Sequence, residues 1–93
     1  SGHVIELKAV DGVRYTVPCT IDPERMEDTQ IVRFRVGNVF KNCAIGVYFD
    51  DEQVMKRKRP VMAPGEMEEI KLEKGKLQLH PGLKTITIKV EEV

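Results

Sequence analysis

Residues 43–67 read CAIGVYFDDEQVMKRKRPVMAPGEM, and this segment predicts a β-hairpin followed by a tight turn. Apolar Ile45, Val47 and Phe49 occupy every second position, which is the period of a half-buried strand. The acidic residues at 50–52 reverse the chain, and a second strand returns from them. We therefore expect the rest of the chain to form strands that pack around this hairpin.

The returning strand becomes wholly basic at residues 56–59 and is followed by Pro60. Proline has no N–H to donate to a ladder, so Pro60 either ends regular pairing or lies in an edge strand. Residues 63–66 read Ala-Pro-Gly-Glu, which places proline and glycine where a type II turn favours them. This pattern predicts a type II turn directly after the hairpin.

Alternating polarity predicts five further strands, which cover residues 4–10, 13–17, 30–36, 67–73 and 83–90. Asp11 and Gly12 form a hairpin signal between the first two of them. Asp22 and Pro23 predict a single helical turn that the Asp22 side chain caps, and no longer helix is expected.

The inward positions of these strands predict the hydrophobic core. In the second strand Val13, Tyr15 and Val17 alternate with Arg14 and Thr16. The other expected core residues are Ile5, Leu7, Ala9, Val32, Phe34, Val36, Ile70, Leu72, Ile86, Ile88 and Val90.

Seven short strands with almost no helix indicate an all-β fold, specifically an immunoglobulin-like β-sandwich of about seven antiparallel strands. A closed barrel of the same strands is the alternative. The 93-residue length fits one domain, residues 3–93. We interpret Ser1 and Gly2 as a tag remnant, and the domain as a piece of a longer chain. No apolar run is long enough to span a membrane, and no signal peptide is recognised.

The charge balance argues against a nucleic-acid partner. The chain has 15 basic and 15 acidic residues and a formal net charge of +0. Binding to nucleic acid by counterion release needs an excess of cations, which this composition lacks. Charges of one sign are nevertheless clustered locally, with acids at 22–28 and 50–52 and cations at 56–59.

Cys19 and Cys43 are expected to be free, partly buried thiols in a reducing cytoplasm. A disulfide between them is one alternative, although the chain has no tryptophan of the kind that accompanies the immunoglobulin bridge. A zinc site made by the two thiols with His3 and His80 is another, but the spacing fits no zinc motif.

The residues provide no catalytic, cofactor-binding or metal-binding constellation. The only serine is Ser1, and the seven glycines form neither a P-loop nor a dinucleotide fingerprint. The acids at 50–52 fit a solvated hairpin tip better than a calcium site. Neither cysteine has a neighbouring base, and His3 and His80 are interpreted as exposed side chains.

The basic run is the most distinctive feature of the sequence. Consecutive cations on a strand put two charges on each face. One interpretation is an edge strand that charge protects from aggregation. The other is a surface that docks an acidic protein or a phosphate-bearing cofactor of a neighbouring domain. The candidate contact residues are Lys56, Arg57, Lys58 and Arg59.

Three segments together resemble a known family. They are VRYTVP at 13–18, VRFRV at 32–36 and APGEME at 63–68, the last preceded by the basic strand. In this order and spacing they resemble the C-terminal domain of bacterial FAD-dependent pyridine nucleotide-disulphide oxidoreductases, flavoproteins often associated with anaerobic glycerol-3-phosphate dehydrogenase.

The resemblance implies a non-catalytic C-terminal fragment of a cytoplasmic flavoenzyme. In that family FAD and NAD(P) bind to upstream domains, so no cofactor site or catalytic residue is carried onto this chain. The implied partners are those upstream domains or a second subunit. The alternative from the residues alone is a stand-alone immunoglobulin-like binding or adhesion module, which predicts secretion and a Cys19–Cys43 bridge.

Overall fold

The computed structural model describes residues 4–93, so Ser1, Gly2 and His3 lie outside the described residues. The elements follow the order of the chain, and strand far exceeds helix. They are β1 (Ile5–Val10), β2 (Val13–Val17), β3 (Thr20–Ile21), β4 (Thr29–Val36), β5 (Phe40–Phe49), β6 (Glu52–Met62), β7 (Glu68–Glu73), α1 (Lys74–Gln78) and β8 (Thr85–Glu92).

The strands form two separate sheets, so the fold is all-β. One sheet has five strands in the order β3-β1-β8-β5-β6, and the other has three in the order β2-β4-β7. The prediction of about seven antiparallel strands is not met in full. The described residues form eight strands, and β1 pairs with β8 in parallel.

The hairpin predicted at Asp11 and Gly12 is wrong, because β1 and β2 belong to different sheets. The turn itself exists, with φ of 44° at Asp11 and 101° at Gly12. Its two strands then diverge. β1 pairs with β3 and β8, whereas β2 pairs with β4. The turn at Asp11 and Gly12 therefore takes the chain from the five-stranded sheet to the three-stranded sheet. The local sequence correctly indicates a turn, but the pairing of its strands is decided by residues far along the chain.

The core lies between the two sheets and agrees with most of the predicted inward positions. Val32, Phe34 and Val36 of β4 have no exposed surface, and Ile86 and Ile88 of β8 face them from the other sheet. Burying side chains of this size is the main favourable contribution to folding. The remaining buried members are Ile5, Leu7, Val13, Ile21, Ile45, Val47, Phe49, Met62, Ile70, Leu72, Leu77 and Leu83.

The alternation in β2 does not persist along the strand. The register with β4 shifts between Val13 and Tyr15, as at a β-bulge, and the extra residue moves the following side chains to the opposite face. Thr16 is therefore buried, whereas Tyr15 and Val17 are 41% and 56% exposed. Pairing with β4 thus overrides the polarity pattern in this strand.

Of two predicted turns, one has the expected geometry and the other does not. The Asp22 side chain accepts a hydrogen bond from the backbone N–H of Glu24 at 2.9 Å, and the Asp22 carbonyl accepts one from the N–H of Met26 at 3.0 Å, so residues 22–26 form the single capped helical turn that the sequence predicts. The N–H of Glu66 donates to the carbonyl of Ala63 at 3.0 Å and closes the turn after β6. Gly65 does not have the positive φ that a type II turn requires, so the predicted turn type is wrong.

Helix α1 lies between two predicted strands, where the sequence analysis expected no helix. It has one buried side chain, Leu77, and therefore shows no apolar periodicity in the sequence. No helix in residues 4–93 is long and apolar enough to cross a membrane. The helix follows β7 directly and closes one end of the core with Leu77.

Candidate interaction surface

The predicted basic strand is β6, and it lies at the edge of the five-stranded sheet. It pairs with β5 along Glu52–Met62 and has no second strand partner among the described residues. Pro60 lies within it, which an edge position permits because the missing N–H removes no ladder bond. The hairpin and the edge location of Pro60 are therefore confirmed.

Pairing with β5 separates the four cations into two pairs. Arg57 lies opposite Ile45, whose side chain is in the core. Lys56 precedes Arg57 and lies opposite Gly46. Because successive side chains of a strand point to opposite faces, Lys56 is on the outer face. Directly opposite residues of an antiparallel pair share a face, so the two arginines face the other sheet and the two lysines face away from it.

The two arginines connect β6 to β7, the edge strand of the three-stranded sheet. Arg57 donates from Nη2 to the backbone carbonyl of Glu69 at 2.7 Å. Arg59 donates from Nη2 to Oε2 of Glu68 at 3.1 Å, and Glu68 is only 6% exposed. The Nε atom of Arg59 is buried without a hydrogen-bond partner. These contacts hold the two sheets together along one side of the molecule.

The two lysines are used less by the fold. Lys56 places Nζ 3.4 Å from Oε2 of Glu91, and its side chain is 42% exposed. Lys58 is exposed, and its side chain makes no hydrogen bond or ion pair with any part of the chain between Val4 and Val93. Among the four predicted contact residues, Lys58 is therefore the one whose charge is free to meet a partner.

A polar network that the sequence did not predict lies beside Lys56 on the outer face. Glu91 accepts hydrogen bonds from the Tyr48 hydroxyl at 2.7 Å and from Nε2 of Gln53 at 3.0 Å. Lys89 lies over the Tyr48 ring, with Nζ 5.0 Å from its centre. These residues are neighbours only because β5, β6 and β8 adjoin, and their spacing along the chain gives no signal of it.

This network shifts the pKa values of two of its members in opposite directions. The hydrogen bond from Tyr48 is the largest influence on the pKa of Glu91 and, with the bonds from Gln53 and Lys56, lowers it despite some desolvation. The same hydrogen bond, with desolvation and the charge of Glu91, raises the pKa of Tyr48. Both shifts favour the pair in which a neutral phenol donates to a carboxylate.

Gly46 provides the space in which Glu91 lies across the sheet. A Cβ atom built on Gly46 would collide with Oε1 and Cδ of Glu91. Gly46 and its neighbour Ala44 are small, so long side chains from β6 and β8 fold over the middle of the outer face. A larger residue at position 46 would displace the carboxylate from Tyr48.

An open groove runs along the side of the molecule between β6 and β7. Besides the two arginines, it is lined by Glu66, Met67, Glu68 and Glu69. Met67 is 41% exposed there, and Val54 and Val61 of β6 are 39% and 46% exposed. The surface at this strand edge therefore has a free lysine on the outer face of β6, exposed apolar side chains, and a groove in which three glutamates lie beside the two arginines.

The acids at 50–52 serve the fold at the hairpin tip. Oδ1 of Asp50 accepts hydrogen bonds from the N–H groups of Lys84 and Thr85 at 3.2 and 3.1 Å. Asp50 itself has a φ of 52°, which the tight reversal requires. No group of three His, Cys, Asp or Glu side chains in residues 4–93 is arranged to hold a metal ion.

Neither the cysteines nor the described histidine belongs to β6, but two of them adjoin it: Cys43 lies opposite Arg59, and Nε2 of His80 is 3.9 Å from Oε1 of Glu52. Cys19 and Cys43 are both free thiols. Cys43 is partly buried, as expected, and donates from Sγ to the carbonyl of Lys41 at 3.2 Å, whereas Cys19 is exposed, so the expectation that it is partly buried is wrong. His80 packs edge-on against Phe49 and lines an apolar hollow of about 240 Å³ beside α1. His3 lies outside the described residues.

Comparison of the chain with family models, curated proteins and solved structures found no match.

Proposed function

We propose that this chain is a non-catalytic, immunoglobulin-like β-sandwich of a FAD- and NAD(P)-dependent oxidoreductase, in which it packs on the catalytic domains or joins subunits. FAD and NAD(P) belong to the domains upstream in this proposal, and this domain supplies protein contacts. The observation that carries the contact role is the position of Lys58 on a long edge strand with no ionic partner in the described chain.

The immunoglobulin-like assignment is supported by the arrangement of the strands. Two sheets enclose one core, and seven of the eight strands have at least five residues, while β3 has two. The parallel pairing of β1 with β8 is the departure from a purely antiparallel sandwich. The cytoplasmic assignment is supported by the two free thiols, which a reducing compartment maintains.

The contact role is tested in the parent enzyme by removing the two charges of β6 that the fold uses least, since the only ionic partner of Lys56 is Glu91 and Lys58 has no ionic partner in the described chain. Lys56→Ser with Lys58→Ser changes the outer face of β6 and leaves the two arginines in place. We expect weaker subunit or interdomain assembly by analytical ultracentrifugation, with a matching loss of turnover. Lys71→Ser on β7, an exposed lysine on the other sheet, is the matched control. Unchanged assembly and turnover in the double variant would rule out docking through β6.

Membership of a flavoenzyme is tested independently by the residues that precede this domain in the natural gene product. A glycine-rich nucleotide fingerprint there supports the proposal. A secretory signal there would favour the stand-alone adhesion module instead. Thiol titration of freshly purified protein adds a second criterion, because that module predicts a Cys19–Cys43 bridge and the flavoenzyme domain predicts two free thiols.

A further inference from the structure

We propose that β6 binds an extended acidic segment of a protein as an added strand. This inference rests on the proposed contact role of β6 and specifies how the contact is made. In the described chain the backbone of β6 is paired with β5 alone, and no backbone–backbone hydrogen bond reaches β6 from the other side. A strand in that position presents alternate N–H and C=O groups to the outside, which is the template for strand addition.

The charges of β6 select an acidic occupant. The strand carries four cations, and its only acid is Glu52 at the hairpin end. Lys56 and Lys58 are two residues apart and therefore share the outer face. An added strand with carboxylates at every second position places two of them beside these lysines, at the distance of cross-strand neighbours. Lys58 gains its first ionic partner in this arrangement.

The inner face of the added strand meets a different surface. Arg57 and Arg59 are held by β7, so their aliphatic stems form part of the wall of the groove. Met67 lines the same groove and is 41% exposed. Apolar side chains on the inner face of the occupant would cover Met67 and these stems. The expected occupant therefore alternates acidic with apolar residues.

A second copy of this chain is a poor occupant of the same edge. Two β6 strands paired antiparallel would bring residues 56–59 of one copy against the same residues of the other. Like charges placed directly opposite each other destabilise a strand pair, and lysines on an edge strand are a known device against self-association. The occupant must therefore be a different segment with the opposite charge.

The experiment uses the 93-residue chain and synthetic ten-residue peptides with blocked ends. The test peptide alternates Glu with Val. The matched control has the same sequence with every second backbone nitrogen methylated. Methylation keeps the charge of the peptide and removes the N–H groups that would donate hydrogen bonds to β6. Binding to isotope-labelled protein is followed by amide chemical shifts and hydrogen exchange. We expect shifts centred on residues 56–59, slower exchange at every second amide of β6, and affinity at least about tenfold lower for the methylated peptide.

Charge dependence is tested with one protein variant and its control. We expect Lys58→Glu to weaken binding of the test peptide by about 3- to 10-fold, because an attraction becomes a repulsion. Lys71→Glu makes the same charge change on β7 and should leave binding unchanged. Raising the salt concentration should weaken binding of the test peptide to the unmodified protein.

Three results would overturn strand addition. They are equal binding of the two peptides, chemical shifts centred on another edge strand (β2, β3 or β7), and no binding of either peptide at millimolar concentration. None of them decides the proposed function, which depends on assembly of the parent enzyme. Loss of assembly in the Lys56→Ser and Lys58→Ser variant together with equal peptide binding would mean that β6 docks by charge alone.

Discussion

Gly12 shows how one backbone position holds the two sheets in their relative arrangement. It has a φ of 101°, and a Cβ atom built on it would lie 2.8 Å from Cζ of Phe40. We expect Gly12→Ala to lower the free energy of unfolding by about 1–3 kcal/mol, because it adds both backbone strain and a steric collision. Urea denaturation followed by circular dichroism measures the change.

Gly65→Ala is the matched control for this prediction. Gly65 has no positive φ, and nothing lies within 4 Å of a Cβ atom built there. The free energy of unfolding should stay the same or rise by about 0.4–1 kcal/mol, because alanine restricts the unfolded chain. Equal losses at the two positions would contradict the conformational explanation for Gly12.

The Tyr48–Glu91 hydrogen bond predicts an altered tyrosine titration. Tyr48 has a pKa raised above 10.0, chiefly by its bond to Glu91. In a Tyr15→Phe background, Glu91→Gln should therefore lower the alkaline midpoint of the Tyr48 absorbance toward 10, since the carboxylate charge is removed. An unchanged Tyr48 midpoint in that variant would contradict the bond to Glu91 as the cause of the shift.

The same bond links stability to pH at both ends of the range. Because the pKa of Tyr48 is raised on folding, its contribution is complete below pH 10.0 and is lost as the pH rises through the folded-state value. Because the pKa of Glu91 is lowered, its contribution is complete above pH 4.5 and is lost as the pH falls through the folded-state value. Denaturation midpoints of Glu91→Gln should therefore vary less with pH in both ranges than those of the unmodified protein.

The basic strand β6 supports the fold with its arginines and leaves its lysines at the surface. Arg57→Ala with Arg59→Ala removes the bonds to β7 and leaves Glu68 buried without its cation. We expect this pair of substitutions to lower the free energy of unfolding by about 2–5 kcal/mol, measured by urea denaturation. Lys56→Ala with Lys58→Ala should cost less than about 1 kcal/mol. A loss of similar size in the two double variants would contradict the division of roles.

The strands were predictable where the polarity pattern and the burial agree. In β4, β7 and β8 alternate apolar residues face the core, and the predicted inward positions are buried with the exception of Val90, which is partly buried. The pattern failed where pairing with a distant strand decided the outcome. The bulge in β2 reversed the sides of Tyr15 and Thr16, and the parallel pairing of β1 with β8 has no local signature.

The sequence predicted where the candidate surface lies but not what each of its residues does. Four consecutive cations beside a proline indicated an edge strand, and β6 is one. The separate roles of Arg57 and Lys58 depend on the position of β7. This strand belongs to the other sheet, so the sequence of β6 gives no indication of it. The buried acid Glu68 and the Tyr48–Glu91 bond gave no signal, because a carboxylate in a polar segment does not reveal its burial or its partner.

One core shared by both sheets predicts that they unfold together. Buried residues of the five-stranded and three-stranded sheets belong to a single cluster, so neither sheet keeps its buried face without the other. The tyrosines report on the sheets separately, since Tyr15 lies in β2 and Tyr48 in β5. Each of the variants Tyr15→Phe and Tyr48→Phe keeps a single tyrosine, which reports on one sheet. In each variant the urea transition followed by tyrosine fluorescence should coincide with the transition followed by circular dichroism. Separate transitions for the two probes would mean that the sheets are independent units.

The parallel pairing of β1 with β8 also bears on how the chain is made. Ile5–Val10 lies inside the five-stranded sheet, and the strand that pairs with it along its length is Thr85–Glu92. During translation the first strand leaves the ribosome long before the last one has been synthesised. The nascent chain must therefore keep an apolar strand without its main partner until the last strand of the domain has left the ribosome.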